Sequence, residues 1–290
     1  MCPKDLYDEY YDRVEIPQVP LGYLDRLHPA VQLWREIRRV NGLTEEQVRK
    51  ARAAYYGLVT YMDEEIGRLL GVLASTSYGE DTAVAYVSDH GEMAGEHGMW
   101  WKSSFYEGSA GVPMIWSWPG HLAEGRRVPQ VTSLLDVGST LLDLAGAAPL
   151  LGTRGRSLGA FLTGSGDAPR DWPDDALSEN YSGRGEPPAR MVREGPWKLN
   201  HYHGYDAPQL FNIEEDPEEF HDRAGDPACA DVQARLLARA REEWDGGAIA
   251  DHVASRADDR EALRAWASTV EHDLSDFWQA PEGCNLFPED

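Results

Sequence analysis

The stretch 43–75, LTEEQVRKARAAYYGLVTYMDEEIGRLLGVLAS, carries the longest periodic pattern in the chain. Val48, Ala51, Tyr55, Leu58, Met62, Ile66, Leu69 and Leu73 recur at steps of three and four, which predicts one helix with a single apolar face. Thr44 and Gln47 form a capping-box pattern at its start, with Glu45 and Glu46 where the helix dipole favours acids. A short apolar run then predicts a buried strand from Thr82 to Val87, stopping at Ser88-Asp89-His90-Gly91. VPMIWSW (112–118) predicts a second strand, closed by Pro119-Gly120. The stretch 131–146 repeats apolar residues at Leu134, Leu135, Val137, Leu141, Leu142 and Leu144, and predicts a helix ending at Gly146.

The first forty or so residues, rich in Pro and Tyr, show no strong strand pattern and read as irregular. After about 150 the composition shifts. The Gly-, Pro- and Asp-rich stretch 151–175 reads as a connection. Beyond it, 189–202 predicts two strands around a Glu194-Gly195-Pro196 turn, and PQLFNIEEDPEE (208–219) a third. Residues 230–244 and 258–270 predict amphipathic helices. The expected architecture is α/β: a layered domain over 1–150, then a smaller α+β subdomain with an antiparallel sheet over 151–290.

Composition narrows the function. The 290 residues can bury a substantial core, and 42% hydrophobic with 27% charged content is ordinary for a globular chain. A net charge of −23 is not ordinary. It repels nucleic acid and anionic lipid, and suits a small substrate or one with a positive group. No apolar stretch approaches the roughly 20 residues that span a bilayer, and the N-terminus lacks the basic and apolar regions of a signal peptide. Cys2, Cys229 and Cys284 are widely spaced and form no Cys-x-x-Cys pair, so neither a zinc knuckle nor a disulfide framework is expected. A reduced, cytoplasmic protein is the resulting expectation, with neither nucleic acid nor membrane as a partner.

The chemistry concentrates in VAYVSDHGEMAGEHGMWWKSSFYE (84–107). Asp89 and His90 stand where a predicted strand ends, and side chains at the carboxyl ends of α/β strands converge on an open crevice. A carboxylate beside an imidazole suits a divalent cation, and the imidazole leaves the metal open. His201 and His203, on a predicted strand, have no carboxylate at ligand spacing and read as surface or packing residues.

The same stretch, continued by GVPMIWSWPG, resembles the sulfatase family of the alkaline-phosphatase superfamily. It carries Ser-Asp-His-Gly-Glu, Gly-Glu-His-Gly, Trp-x-Lys, Phe-Tyr-Glu and Val-Pro in the family's order, with twelve residues from His90 to Lys102. The helix around 51–70, the helix 134–146 and MVREGPWKLNHYHGYDAPQLFNIEEDPEE (191–219) resemble choline-sulfatase-like members, so the likeness runs along essentially the whole chain. It implies that Asp89 and His90 bind a divalent cation, Ca²⁺ first and Mn²⁺ or Mg²⁺ as alternatives. It implies that Lys102 holds a small sulfate ester and protonates the leaving oxygen, and that His97 reaches the site from the same loop. Trp100 and Trp101 are expected to pack, or to wall the pocket.

The family's formylglycine arises from Cys-x-Pro-x-Arg, and none of the three cysteines has that context. The family's paired aspartates also lack counterparts. The chain is therefore expected to be a C-terminal portion, inactive alone, that either lacks an N-terminal segment or associates with another copy. Gly108, Gly111 and Ser139 replace a Glu, an Arg and a Pro usual in the family. Two other readings stay open: a phosphonate or phosphodiester hydrolase of the same superfamily, and a non-catalytic remnant or metal-binding module.

Overall fold

The computed structural model describes residues 2–164, 169–181 and 184–270. Cys284 lies outside them. The helix predicted over 258–270 lies within them and ends at Ala267, three residues short of the expected end. The region expected to be irregular contains two helices, α1 (Lys4–Tyr11) and α2 (Pro29–Ile37). α1 has no side-chain cap and buries only Tyr7; it is held by packing on α3 (Glu45–Ala74), where Tyr10 Oη lies 2.8 Å from Thr60 Oγ1. Gly57 permits that approach, since a Cβ there would lie 2.4 Å from Cys2 Sγ and 3.3 Å from the Leu6 backbone. α2 starts with Pro at its first turn, where the missing N–H costs nothing, and with the His28 ring accepting from Ala30 N.

α3 begins on the expected Thr44–Gln47 capping box. Its predicted apolar face is less covered than the pattern implied. The buried positions are Arg52, Ala53 and Gly57, and the C-terminal half leaves Leu69 and Val72 67% and 62% exposed. β1 (Val84–Val87) and β2 (Met114–Ser117) follow, paired antiparallel with Val87 opposite Met114. Between them lies a long loop and a single turn of helix, α4 (Glu107–Ala110). α5 (Leu134–Leu144) is capped by Ser133 and Asp136 acting reciprocally, and α6 (Gly159–Thr163) is a short turn within the predicted connection.

The second sheet is antiparallel throughout, in the order β3 (Asp175–Asn180), β4 (Ala189–Glu194), β5 (Trp197–Tyr202), β6 (Gln209–Asn212). β3 begins at Asp175, the last residue of the stretch expected to be a connection, and is a strand the sequence pattern does not predict. On the outer face Val192, Leu199 and Leu210 pack with Leu236 and Ala240 of α7 (Ala230–Arg241). α8 (Gly246–Ser255) and α9 (Ala257–Ala267) complete the described chain.

Alternation puts Met191, Lys198, Asn200 and Tyr202 on the opposite, inner face. There Ala189, Met191, Tyr202 and Phe211 share one core with Tyr23, Val31 and Trp34 from the first helices, and with Met93, Met99, Phe105 and Tyr106 from the long loop. The small sheet is thus the floor on which the 88–107 loop rests. Among the described residues, no helix is long and apolar enough to cross a membrane.

Candidate active site

β1 delivers Asp89 and His90 two and three residues beyond its last paired position. The His90 Nδ1 lies 2.8 Å from the Gly91 carbonyl, and its Nε2 lies 2.7 Å from Lys102 Nζ. An ammonium only donates, so Nε2 accepts and the ring proton sits on Nδ1, donated to Gly91 O. Asp89 Oδ2 is 3.4 Å from the same Nε2. The twelve-residue step therefore closes in space: Asp89, His90 and Lys102 meet at one end of a cleft of about 670 Å³.

Lys102 is held by the loop's own backbone. Met93 N donates to Trp101 O (2.9 Å) and Gly95 N to Met99 O (2.8 Å), folding the loop back on itself. Glu92 Oε1 accepts from Ala94 N at 3.0 Å and from Trp101 N at 2.5 Å. Trp101 and Ser103, either side of Lys102, have φ of 62° and 71°, a left-handed backbone that non-glycine residues adopt only when surroundings impose it. Asn180 of β3 imposes part of it, donating from Nδ2 to Ser103 O at 2.9 Å. Trp101 is half-exposed, and Trp100 packs against the shared core.

The opposite wall of the cleft comes from α4 and the sheet, through Glu107, Ser178 and Arg193. Burial would raise the Glu107 carboxyl, but the charge and hydrogen bond of Lys198 outweigh it and hold that group below the ordinary range. Glu107, Lys198 and Arg193 carry no sequence signal of a site; the full burial of Lys198, the second residue of β5, is visible only in the structure.

His97 is not brought to the cleft. It is 5% exposed, its ring stacked on Tyr106 at 3.9 Å, and its Nδ1 is 2.6 Å from Tyr23 Oη. Burial first, and then the charge of Lys198, push its pKa down to about 4. A ring so enclosed stays neutral and props the loop from beneath. Its backbone (φ 52°) is what turns the side chain inward.

A divalent cation fits the donor chemistry of the pair. Asp89 offers a carboxylate, and His90 offers the Nε2 lone pair with its tautomer fixed by Gly91 O, the arrangement common for a ligating imidazole. Two donors do not close a coordination shell. Among the described residues, no group of three or more His, Cys, Asp or Glu comes close enough to hold a metal by itself.

Comparison with known proteins gives concordant results. The family described as "Sulfatase" matches residues 9–147, and "N-sulphoglucosamine sulphohydrolase, C-terminal" matches residues 95–244. The choline-sulfatase of Rhizobium meliloti (strain 1021) is 36% identical over 240 residues, covering 81% of this chain and 45% of that protein. Arylsulfatase K of Mus musculus is 33% identical over 216 residues, covering 72% of this chain and 38% of that protein. The chain thus spans less than half the length of these curated relatives. In three dimensions it is similar to the phosphonate monoester hydrolase of Silicibacter pomeroyi, with a TM-score of 0.67 and 27% identity over 91% of this chain and 52% of that one. The mixed α/β class expected from the sequence, a partial alkaline-phosphatase-like layer with an antiparallel sheet, is the class observed.

Proposed function

The chain belongs to the sulfatase family, and from that premise we propose that Asp89, His90 and Lys102 are the metal-and-lysine portion of a site that hydrolyses a small sulfate ester. The observation that carries this reading is the 2.7 Å approach of Lys102 to His90 beside Asp89, at the end of a cleft that accommodates a small molecule. Asp89 and His90 would hold the divalent cation, Ca²⁺ foremost, which supplies positive charge against the non-bridging oxygens of the ester. Lys102 sets a second positive charge on those oxygens, where negative charge grows during transfer. As the bond from sulfur to the ester oxygen breaks, a proton on Lys102 Nζ passes to the departing alkoxide while the nucleophile's oxygen bonds to sulfur. No cysteine of this chain stands in a Cys-x-Pro-x-Arg context, so the attacking oxygen is assigned to none of its residues.

A second reading, hydrolysis of a phosphonate monoester, is favoured by the likeness to the Silicibacter pomeroyi enzyme. Both esters present tetrahedral anionic groups to the same pair of charges. The test is turnover of an aryl sulfate and an aryl phosphonate monoester by the protein isolated from its source, together with thermal unfolding of this chain in millimolar Ca²⁺. Faster sulfate turnover, and a Ca²⁺-dependent rise in Tm lost in Asp89→Ala and His90→Ala, are expected. Faster phosphonate turnover moves the assignment to the second reading. No Ca²⁺ effect and no turnover would leave a non-catalytic remnant.

A further inference from the structure

Beneath the cleft lies a charge cluster that the chemistry above does not use. Lys198, on β5, is fully buried, and its Nζ lies 2.7 Å from Glu107 Oε1 and 2.5 Å from Glu219 Oε1. Glu219 is itself 1% exposed, and its second oxygen accepts the backbone N–H of Glu107 at 2.6 Å. Arg193 approaches Glu107 Oε1 at 3.9 Å from the next strand.

A buried cluster of this kind is a poor device for stability. Desolvating the ions offsets most of their attraction, and apolar replacements of similar volume are often neutral or better. What such a cluster can supply is a fixed geometry, so the informative question is what Glu107 holds in place.

Glu107 opens α4, and Ser109 of that turn accepts the Gly91 N–H at 2.8 Å. The two backbones are in contact, since a Cβ at Gly91 would lie 2.2 Å from Gly108 O. Gly91 O in turn receives the Nδ1 proton of His90. Ser109 Oγ also accepts a long bond from Ser104 N, 3.5 Å, on the far side of Lys102. A continuous path thus runs from the inner face of the small sheet, through Glu107 and Ser109, to the imidazole.

We propose that Lys198 and Glu219 are positioning residues: through the backbone and carboxylate of Glu107 they fix the α4 turn, and that turn fixes the Gly91 carbonyl that sets the tautomer and direction of His90. The function of this device rests on the reading of His90 as a cation ligand. Lys198 touches neither substrate nor metal, and acts wholly through Glu107. The C-terminal sheet is then part of the catalytic apparatus and not an appendage to it.

Glu219→Gln is the sharpest test. A glutamine has one acceptor where the carboxylate has two, so its amide group must face either Lys198 Nζ or the Glu107 N–H, donor against donor. The measurement is amide hydrogen exchange by NMR on the whole chain, paired with Mn²⁺ binding by EPR. Exchange at Gly91 and Glu107 is expected to quicken about tenfold, the scale of one lost buried hydrogen bond, with Mn²⁺ bound several-fold more weakly. Val192 and Leu199, on the same strands but facing α7, should be unchanged. Equal loosening of Val192 and Leu199, or no change at Gly91, would overturn the proposal and leave the cluster a structural one. If Glu219→Gln does not fold, Glu107→Gln keeps the backbone bond to Glu219, removes only the charge facing Lys198, and is expected to quicken Gly91 in the same way. Absence of Mn²⁺ binding by the unaltered chain would count against the sulfatase-type site, and the exchange at Gly91 would still decide the positioning role.

Discussion

Lys102 Nζ stands 2.7 Å from His90 Nε2, and the lone pair it engages is the one a cation at the Asp89–His90 pair requires. On the proposed reading of the pair as cation ligands, lysine and metal would compete for one electron pair, and the ammonium would also repel the incoming charge. Lys102→Met is expected to tighten Mn²⁺ binding about fivefold, the equivalent of roughly 1 kcal/mol for one hydrogen bond, measured by isothermal titration. If the proposed sulfate-ester hydrolysis is observed, the same change should lower turnover by about a hundredfold or more, since the charge-stabilising donor and proton source assigned to Lys102 are lost together. Unchanged or weaker Mn²⁺ binding would show that the lone pair is not shared.

Asn180 reaches from β3 to the Ser103 carbonyl at 2.9 Å, and Ser103 keeps the left-handed turn that aims Lys102. Asn180→Ala leaves a part-buried carbonyl without that donor. Stability to urea is expected to fall by about 1 kcal/mol, with protease cleavage newly appearing in the 99–104 stretch while the fold persists. Cleavage patterns identical to the unaltered chain would place the restraint on Lys102 elsewhere.

Those parts of the fold with local chemistry were legible beforehand. The Thr44–Gln47 box, the Gly195 turn between β4 and β5, and the helix expected within 131–146 are each specified within a few residues of sequence, and each formed, the last as α5. α1 and α2 were missed because their helicity comes from packing on α3 and from an unusual histidine cap. β3 was missed because its inner face, Ala176, Ser178 and Asn180, borders a polar cleft and shows no apolar alternation. The site divides in the same way. Asp89, His90 and Lys102 could be named because a compact motif holds them. Nothing in the spacing of Glu107, Lys198 and Glu219 announces that a sheet will bring them together, and nothing in Gly-Glu-His-Gly shows that the loop turns His97 away from the cleft.

Arg52 ties α3 to the same loop. It is buried, donates from Nη1 to Ala94 O at 2.5 Å, and from Nη2 to Tyr56 Oη at 3.1 Å. Ala94 has φ of 46°, a left-handed backbone that non-glycine residues adopt only when surroundings impose it, and the Arg52 bond is one such restraint. Arg52→Met preserves the aliphatic stem and removes the charged donor. The expected loss is about 1.5–3 kcal/mol of unfolding free energy, read from chemical denaturation. A loss below about 0.5 kcal/mol would mean water replaces the guanidinium at Ala94.

His97 makes stability depend on pH in a defined direction. Its folded-state pKa, about 4, is below the ordinary 6.5, because burial and the charge of Lys198 disfavour the imidazolium. Between those values the unfolded chain binds a proton that the folded chain refuses, so stability from this residue is complete above pH 6.5 and is lost as pH falls toward 4. A gap of that size corresponds to roughly 3 kcal/mol in full, and to about 2 kcal/mol between pH 7 and pH 5. Asparagine accepts the left-handed backbone at this position (φ 52°) and does not titrate, so His97→Asn isolates the effect from the turn itself. The variant should be less stable at pH 7, having lost the stacking on Tyr106 and the bond to Tyr23. Its loss of stability from pH 7 to pH 5 should nonetheless be smaller than that of the unaltered chain by about 2 kcal/mol, measured by urea unfolding at each pH. Parallel pH profiles would mean that His97 takes up its proton in the folded state as readily as in the unfolded one, and that the pocket formed by Tyr23, Tyr106 and Phe220 opens to admit it.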